Sequence, residues 1–195
     1  KRFLSRLELP KVHLLGYSMG GLISTIFAAR NPEIVQRFAL LAPAGYRGEK
    51  NPTKQLMRMS KALRHPLYRL IRDRLFRKRF HAYYRAYTPE IDVLFEEAFQ
   101  LSQNRDYAAW LDAVGQSLES ISRQPGNDYY SQVKAPTLIL FGEQDRVVPS
   151  EGGYFMARTM PNATMRLYPN CGHCLIVEVK DRLNKDVLAF LRREQ

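Results

Sequence analysis

Apolar residues follow two rhythms along this chain. Short apolar-leaning runs lie at Val12–Leu15, Phe38–Leu41, Thr137–Phe141 and Thr164–Tyr168. Runs such as "TLILF" lack alternation, which predicts strands buried on both faces, as in a parallel sheet. The second rhythm repeats every three to four residues. It predicts a helix over Met19–Arg30, with Leu22, Ile23, Ile26 and Phe27 on one face and Asn31-Pro32 as its stop. It also predicts a short helix over Gly153–Met160, closed by Pro161, and a terminal amphipathic helix over Val179–Arg192. From Gly45 to Val133 the pattern is helical, broken at Pro66, at Thr88-Pro89 and at Pro125-Gly126. Strand–helix–strand at both ends with helices between them predicts an α/β fold. About four parallel strands would form one sheet, interrupted by an inserted helical unit. Residues 1–46 and 129–195 are assigned to the core and 47–128 to the insert.

Composition narrows the class. The 195 residues suffice for one domain with a sizeable core, and 45% hydrophobic with 25% charged residues is ordinary for a globular protein. No apolar run approaches the ~18–20 residues of a membrane span. The chain opens Lys1-Arg2-Phe3-Leu4, with no initiator Met and no apolar signal core, so it is expected to be a piece of something longer or a processed chain. Two cysteines, Cys171 and Cys174, are too few for a disulfide scaffold and favour a reducing, cytoplasmic setting.

Charge changes the picture in one place. Residues 47–88 hold thirteen Lys/Arg against Glu49 and Asp73 alone, which accounts for the whole net charge of +11. Phe76, Phe80, Tyr83, Tyr84 and Tyr87 recur there at helical spacing, a packing face with Arg72, Lys78, Arg79 and Arg85 turned outward. Such a surface suits an anionic membrane or an acidic protein partner. Nucleic acid is not expected, because no nucleic-acid-binding motif accompanies the charge.

The candidate chemistry starts at Gly16-Tyr17-Ser18-Met19-Gly20, between a predicted strand and a predicted helix. Glycines flanking so tight a turn avoid clashes between strand and helix, and the turn lifts the Ser18 hydroxyl out at the strand's carboxyl end. The amide of Met19, at the helix start, is placed to meet an oxyanion. A serine needs a base. His13 lies within a strand and reads as a packed core residue, while His65 and His81 lie in the basic segment. His173 follows a strand, in the loop "NCGHCL", and is the candidate base. "LILFGEQDRVVP" supplies the orienting carboxylate. Asp145 is preferred to Glu143 because it lies deeper in the loop. Cys171-Gly172-His173-Cys174 lacks the second ligand pair of a zinc site, so the cysteines read as small packed residues and no metal or cofactor is predicted.

"GYSMGG", "LILFGEQDRVVP" and "YPNCGHCLIVE" occur in the order Ser, Asp, His, and with them the chain resembles the carboxyl-terminal two-thirds of α/β-hydrolase-fold serine hydrolases. The resemblance covers residues 11–192. It implies that Ser18 is the nucleophile, Asp145 the acid and His173 the base, and that residues from about Arg47 to about Asp128 form a cap. It points to the small esterase and monoacylglycerol-lipase-like group. A serine at the elbow sets the chain apart from epoxide hydrolases and haloalkane dehalogenases, whose nucleophile is aspartate. The expected reaction is hydrolysis of a carboxylic ester of an acyl chain through an acyl-enzyme. Thioester, amide or carbon–carbon cleavage stay open on the same machinery. The alternative is a non-catalytic fragment or homologue whose basic cap binds anionic lipid or an acidic protein. The family's earlier strands, with the loop that gives a second oxyanion donor, do not precede Ser18. The elbow strand should therefore show an unpaired apolar edge, and this chain alone should be poorly soluble and nearly inactive.

Overall fold

The computed structural model describes residues 1–46, 84–85, 89–103, 109, 112–113, 116–117 and 126–192. Four strands, β1 (Val12–Tyr17), β2 (Val35–Leu41), β3 (Thr137–Gly142) and β4 (Ala163–Tyr168), form one parallel sheet in the order β1-β2-β3-β4. This is the predicted partial α/β sheet. Each strand outruns its apolar run, β3 and β4 by one residue and β1 and β2 by more. β1 continues through Gly16 and Tyr17 because these pair with Leu40 and Leu41. β2 starts at Val35 despite the polar Gln36 and Arg37, and the Arg37 guanidinium lies 5.4 Å from the centre of the Phe190 ring.

The central strands carry the core. Phe38, Leu40, Leu41, Ile139, Leu140 and Phe141 are all at or near complete burial. Each such side chain stabilises the fold by about 1.5–3 kcal/mol relative to exposure. Helices connect the strands: α1 (Arg2–Arg6) precedes β1, α2 (Met19–Arg30) links β1 to β2, and α3 (Pro89–Ser102) lies in the long β2–β3 connection. Further on, α4 (Glu151–Thr159) links β3 to β4, and a short α5 (Leu175–Glu178) is followed by α6 (Lys180–Leu191). The terminal helix therefore starts later than its periodicity suggests, after a break at Val179. α6 sets Leu183, Val187 and Phe190 into the core. It is strapped to β4 by the Tyr168 hydroxyl, which donates to Asp186 at 2.7 Å, and by the Arg166–Asp186 ion pair.

The two ends of the β2–β3 connection meet where the Gly126 amide donates to the Gly45 carbonyl at 2.9 Å. Most of residues 47–128, with the expected cap start at Arg47, His65, His81 and nearly all of the basic stripe, lies outside the described residues, while the expected cap end at Asp128 falls in the described turn Gly126–Asp128. Among the described residues no helix is long and apolar enough to cross a membrane.

β1 is a sheet edge. His13 and Leu15 point away from the core and are exposed, Leu15 by 50%. The expectation that His13 packs in the core is thus corrected: among the described residues one face of β1 is left uncovered, and alternate positions along the strand take that face. Ile23, Phe3, Leu7 and Leu9 are also exposed apolar side chains on α2, α1 and the turn after α1.

Candidate active site

Because all four strands run the same way, their carboxyl ends share one rim. Tyr17 pairs with Leu41, and Gly142 with Tyr168. Of the four segments that start there, those after β1, β3 and β4 each carry one side chain singled out in the sequence. Sites of open α/β sheets form at this rim.

Ser18 occupies the turn from β1 to α2. Its amide donates to the Leu41 carbonyl, and its own carbonyl accepts from the Gly21 and Ala44 amides, all at 2.9 Å. These bonds hold the residue at φ 51°, ψ −120°, a left-handed backbone that non-glycine residues rarely adopt. The close approach of strand to helix is real, but it uses a different glycine pair from the expected one. A Cβ on Gly16 would overlap Ser24 Oγ, and one on Gly21 would lie 2.6 Å from Pro43 Cβ. At Gly20 a Cβ would meet nothing within 4 Å among the described residues. Met19 opens α2, so its amide belongs to the first turn, whose N–H groups lack intrahelical partners.

Asp145 follows β3. One oxygen, Oδ1, accepts from the Val147 and Val148 amides at 2.8 and 2.9 Å. The other lies 2.7 Å from His173 Nδ1. The two backbone donors hold Oδ1, and Oδ2 meets the imidazole. Glu143, the competing carboxylate, is exposed.

His173 follows β4. Its side chain is 1% exposed and that of Asp145 is 0%. His173 Nε2 lies 3.0 Å from Ser18 Oγ. An ionised Asp145 accepts from Nδ1–H, which leaves Nε2 with the lone pair that can accept the serine proton. The structure thus brings Ser18, His173 and Asp145 into one hydrogen-bonded row, 155 and 28 residues apart along the chain.

Other partners of the row escape sequence reading. The Tyr17 hydroxyl donates to the His173 carbonyl at 3.2 Å and lies 3.5 Å from Cys174 Sγ, while its ring centroid is 5.2 Å from that of the imidazole. Tyr17 holds the variable position of the elbow motif, so nothing in the motif marks it. Gln144, Glu178 and Arg85 also join the loops. The Gln144 amide donates to the Cys171 carbonyl at 2.9 Å. Glu178 accepts from the Gly172 amide at 3.0 and 3.1 Å. The one signal available was a carboxylate five residues beyond His173. Both cysteines are buried and free. Burial, with the Glu178 and Asp145 charges adding to it, pushes the Cys171 thiol up to about 12. Burial likewise raises Cys174, against hydrogen bonds from Tyr17 and Tyr84 that lower it.

Comparison with known proteins agrees with this geometry on the fold and corrects the expected substrate. Residues 1–178 match the family described as alpha/beta hydrolase fold. The chain is 29% identical to the 2-hydroxy-6-oxononadienedioate/2-hydroxy-6-oxononatrienedioate hydrolase of Burkholderia vietnamiensis, over 97% of this chain and 65% of that protein. It is 31% identical to the corresponding hydrolase 2 of Pseudomonas putida, over 98% of this chain and 66% of that protein. The chain therefore spans about two thirds of the length of these curated relatives. Among solved structures, the 2-hydroxy-6-oxo-6-phenylhexa-2,4-dienoate hydrolase of a Rhodococcus strain superposes with a TM-score of 0.79 at 19% identity, over 97% of this chain and 67% of that one. That match shows the fold. The compounds in the relatives' names are keto-enol acids without an ester group, and this overturns the expected carboxylic-ester hydrolysis, with its esterase or lipase assignment. With its family matched over most of its length and its serine, histidine and aspartate on one sheet rim, this chain belongs to the alpha/beta hydrolase fold family.

Proposed function

We propose that the site is a serine-hydrolase centre that cleaves a carbon–carbon bond beside a ketone in 2-hydroxy-6-oxodienoate-type acids. The carrying observation is the row Asp145–His173–Ser18 at 2.7 and 3.0 Å, with acid and base buried. The substrate class is taken from the names of the relatives.

The chemistry suits that class. Moving the enol proton of such an acid to C5 gives a ketone at C2, conjugated through C3=C4, and leaves the ketone at C6. Ser18 Oγ attacks C6 as His173 Nε2 takes its proton, and Asp145 holds the ring and stabilises its charge. The Met19 amide donates to the oxyanion formed at C6. When the C5–C6 bond breaks, its electron pair passes to C5 and spreads to the C2 oxygen as a dienolate. His173 returns its proton to that fragment. A dienolate is a far better leaving group than a simple carbanion, so a triad suited to acyl transfer can break this bond. Water, deprotonated by His173, then releases the acid from Ser18.

The test supplies the intact protein with 2-hydroxy-6-oxononadienedioate and follows loss of the conjugated chromophore. The expected products are a five-carbon enol acid and a four-carbon diacid, with turnover reduced by about 10⁴-fold or more in Ser18→Ala. An unconsumed substrate, with Ser18 still labelled by a fluorophosphonate, would remove the substrate assignment. Absence of labelling would remove the nucleophile as well.

A further inference from the structure

The loops bearing Asp145 and His173 are joined by a circuit of hydrogen bonds that the proposed reaction does not use. Glu178 stands at its centre. Its two oxygens accept from the Gly172 amide, directly before His173, at 3.0 and 3.1 Å. Its Oε2 also accepts from the Arg85 amide at 2.6 Å. The Arg85 side chain continues the circuit, Nε donating to Gln144 Oε1 at 2.8 Å. Gln144 directly precedes Asp145, and its own amide closes the ring onto the Cys171 carbonyl at 2.9 Å.

The arrangement has a mechanical meaning. Asp145 is fixed by the Val147 and Val148 amides. At His173 the carbonyl accepts from the Leu175 amide at 3.1 Å and from the Tyr17 hydroxyl at 3.2 Å, which holds the residue on its Cys174 side, while on its other side the chain passes through Gly172, and a glycine allows that course wide freedom. A carboxylate shared by two amides removes the freedom, since hydrogen bonds to an ionised acceptor are about twice as strong as neutral ones. The second amide comes from Arg85, in the long β2–β3 connection, so the same carboxylate ties that connection to the imidazole loop. We propose that Glu178 is a positioning residue: it holds the Gly172 amide, and through it the His173 ring, in register with Ser18, and uses Arg85 to couple that register to the β2–β3 connection.

The proposal rests on the reading of Ser18 and His173 as nucleophile and base, and its test keeps the two apart. A fluorophosphonate is titrated against the intact protein, giving a labelling rate at saturation and a half-saturating concentration. The low-field NMR signal of the His173 Nδ1 proton is recorded alongside. In Glu178→Ala the saturated rate should fall on the order of 10- to 100-fold, as for a small misplacement of a reacting group. The half-saturating concentration should stay unchanged and the low-field signal should move or vanish. Glu178→Gln, which keeps an oxygen able to meet both amides, should recover most of the rate. Glu178→Asp, equally charged but shorter, should not. Arg85→Ala breaks only the Gln144 arm and should slow labelling a few-fold. Wild-type rate and signal in Glu178→Ala would overturn the positioning role and leave the nucleophile reading intact. If Glu178→Ala does not fold, the Gln and Asp variants decide: equal rates overturn the proposal. If even the wild type is unlabelled, the nucleophile reading fails, and the NMR signal alone judges Glu178, an unmoved signal overturning its role.

Discussion

On the β3–β4 flank of the rim, Asp145 and His173 are almost wholly buried and bonded to backbone amides and to each other. On the β1–α2 flank, Ser18 sits half-buried at the head of an edge strand, with Leu15 and Ile23 half exposed behind it. The far edge of the same sheet gives a second contrast. There β4 is finished with polar chemistry: Arg166 pairs with Asp186, Tyr168 donates to Asp186, and Arg182 lies 5.3 Å from the Tyr168 ring centre. Charged edges resist pairing with other chains, whereas apolar ones invite it. The Asp145–His173 flank is thus closely bonded among the described residues, while the Ser18 flank presents the kind of surface that interfaces cover.

Substitutions can sharpen this contrast. The largest effect is expected at Asp145→Asn. An amide in place of the carboxylate can favour the wrong imidazole tautomer, and labelling of Ser18 should drop about 10⁴-fold. A drop of less than tenfold would mean that the orienting carboxylate lies elsewhere. Next comes Phe141→Ala on β3, at 0% exposure, which should cost about 3–5 kcal/mol in urea unfolding.

Asp186 gives a smaller and pH-dependent effect. Burial would raise its carboxyl, but the Arg166 pair and the Tyr168 hydrogen bond outweigh this and hold it below the ordinary value. A carboxyl lowered by folding contributes stability that is full above the ordinary carboxylate range, about 3.9 for Asp, and is lost as pH falls through the native value. Melting curves of the wild type should therefore fall away below about pH 4 more steeply than those of Asp186→Asn. Parallel curves would show that the clasp on β4 contributes no such linkage. The smallest stability effect belongs to the open edge. Leu15→Ser and Ile23→Ser should each change stability by less than about 0.5 kcal/mol. Both should nevertheless reduce light scattering at high concentration, and unchanged scattering would show that this edge is not the sticky one.

Much of the frame was legible because it follows from periodicity. β3 reads directly from "TLILF", and α2 starts and stops where its pattern places it. Polar residues hid the start of β2, since Arg37 is buried through a ring contact that a linear pattern cannot show. The side chains of the row were legible for a related reason: each follows a strand, and parallel strands deliver their ends to one rim. Glu178, Gln144, Tyr17 and Arg85 were not, because their partners include groups on loops far away along the chain, and such contacts leave no mark in sequence. The choice of bond cleaved was illegible too. An acyl-transfer row serves any carbonyl with a sufficiently good leaving group, and the leaving group belongs to the substrate.

The twisted backbone at Ser18 implies that the native sequence tolerates a tension which its own chemistry creates. A non-glycine residue at φ 51°, ψ −120° costs on the order of 1–3 kcal/mol. Two hydroxyl-free variants should then part company: Ser18→Ala inherits the tension, whereas Ser18→Gly releases it and melts higher. The gap between their melting points would weigh what the elbow stores in order to present a hydroxyl.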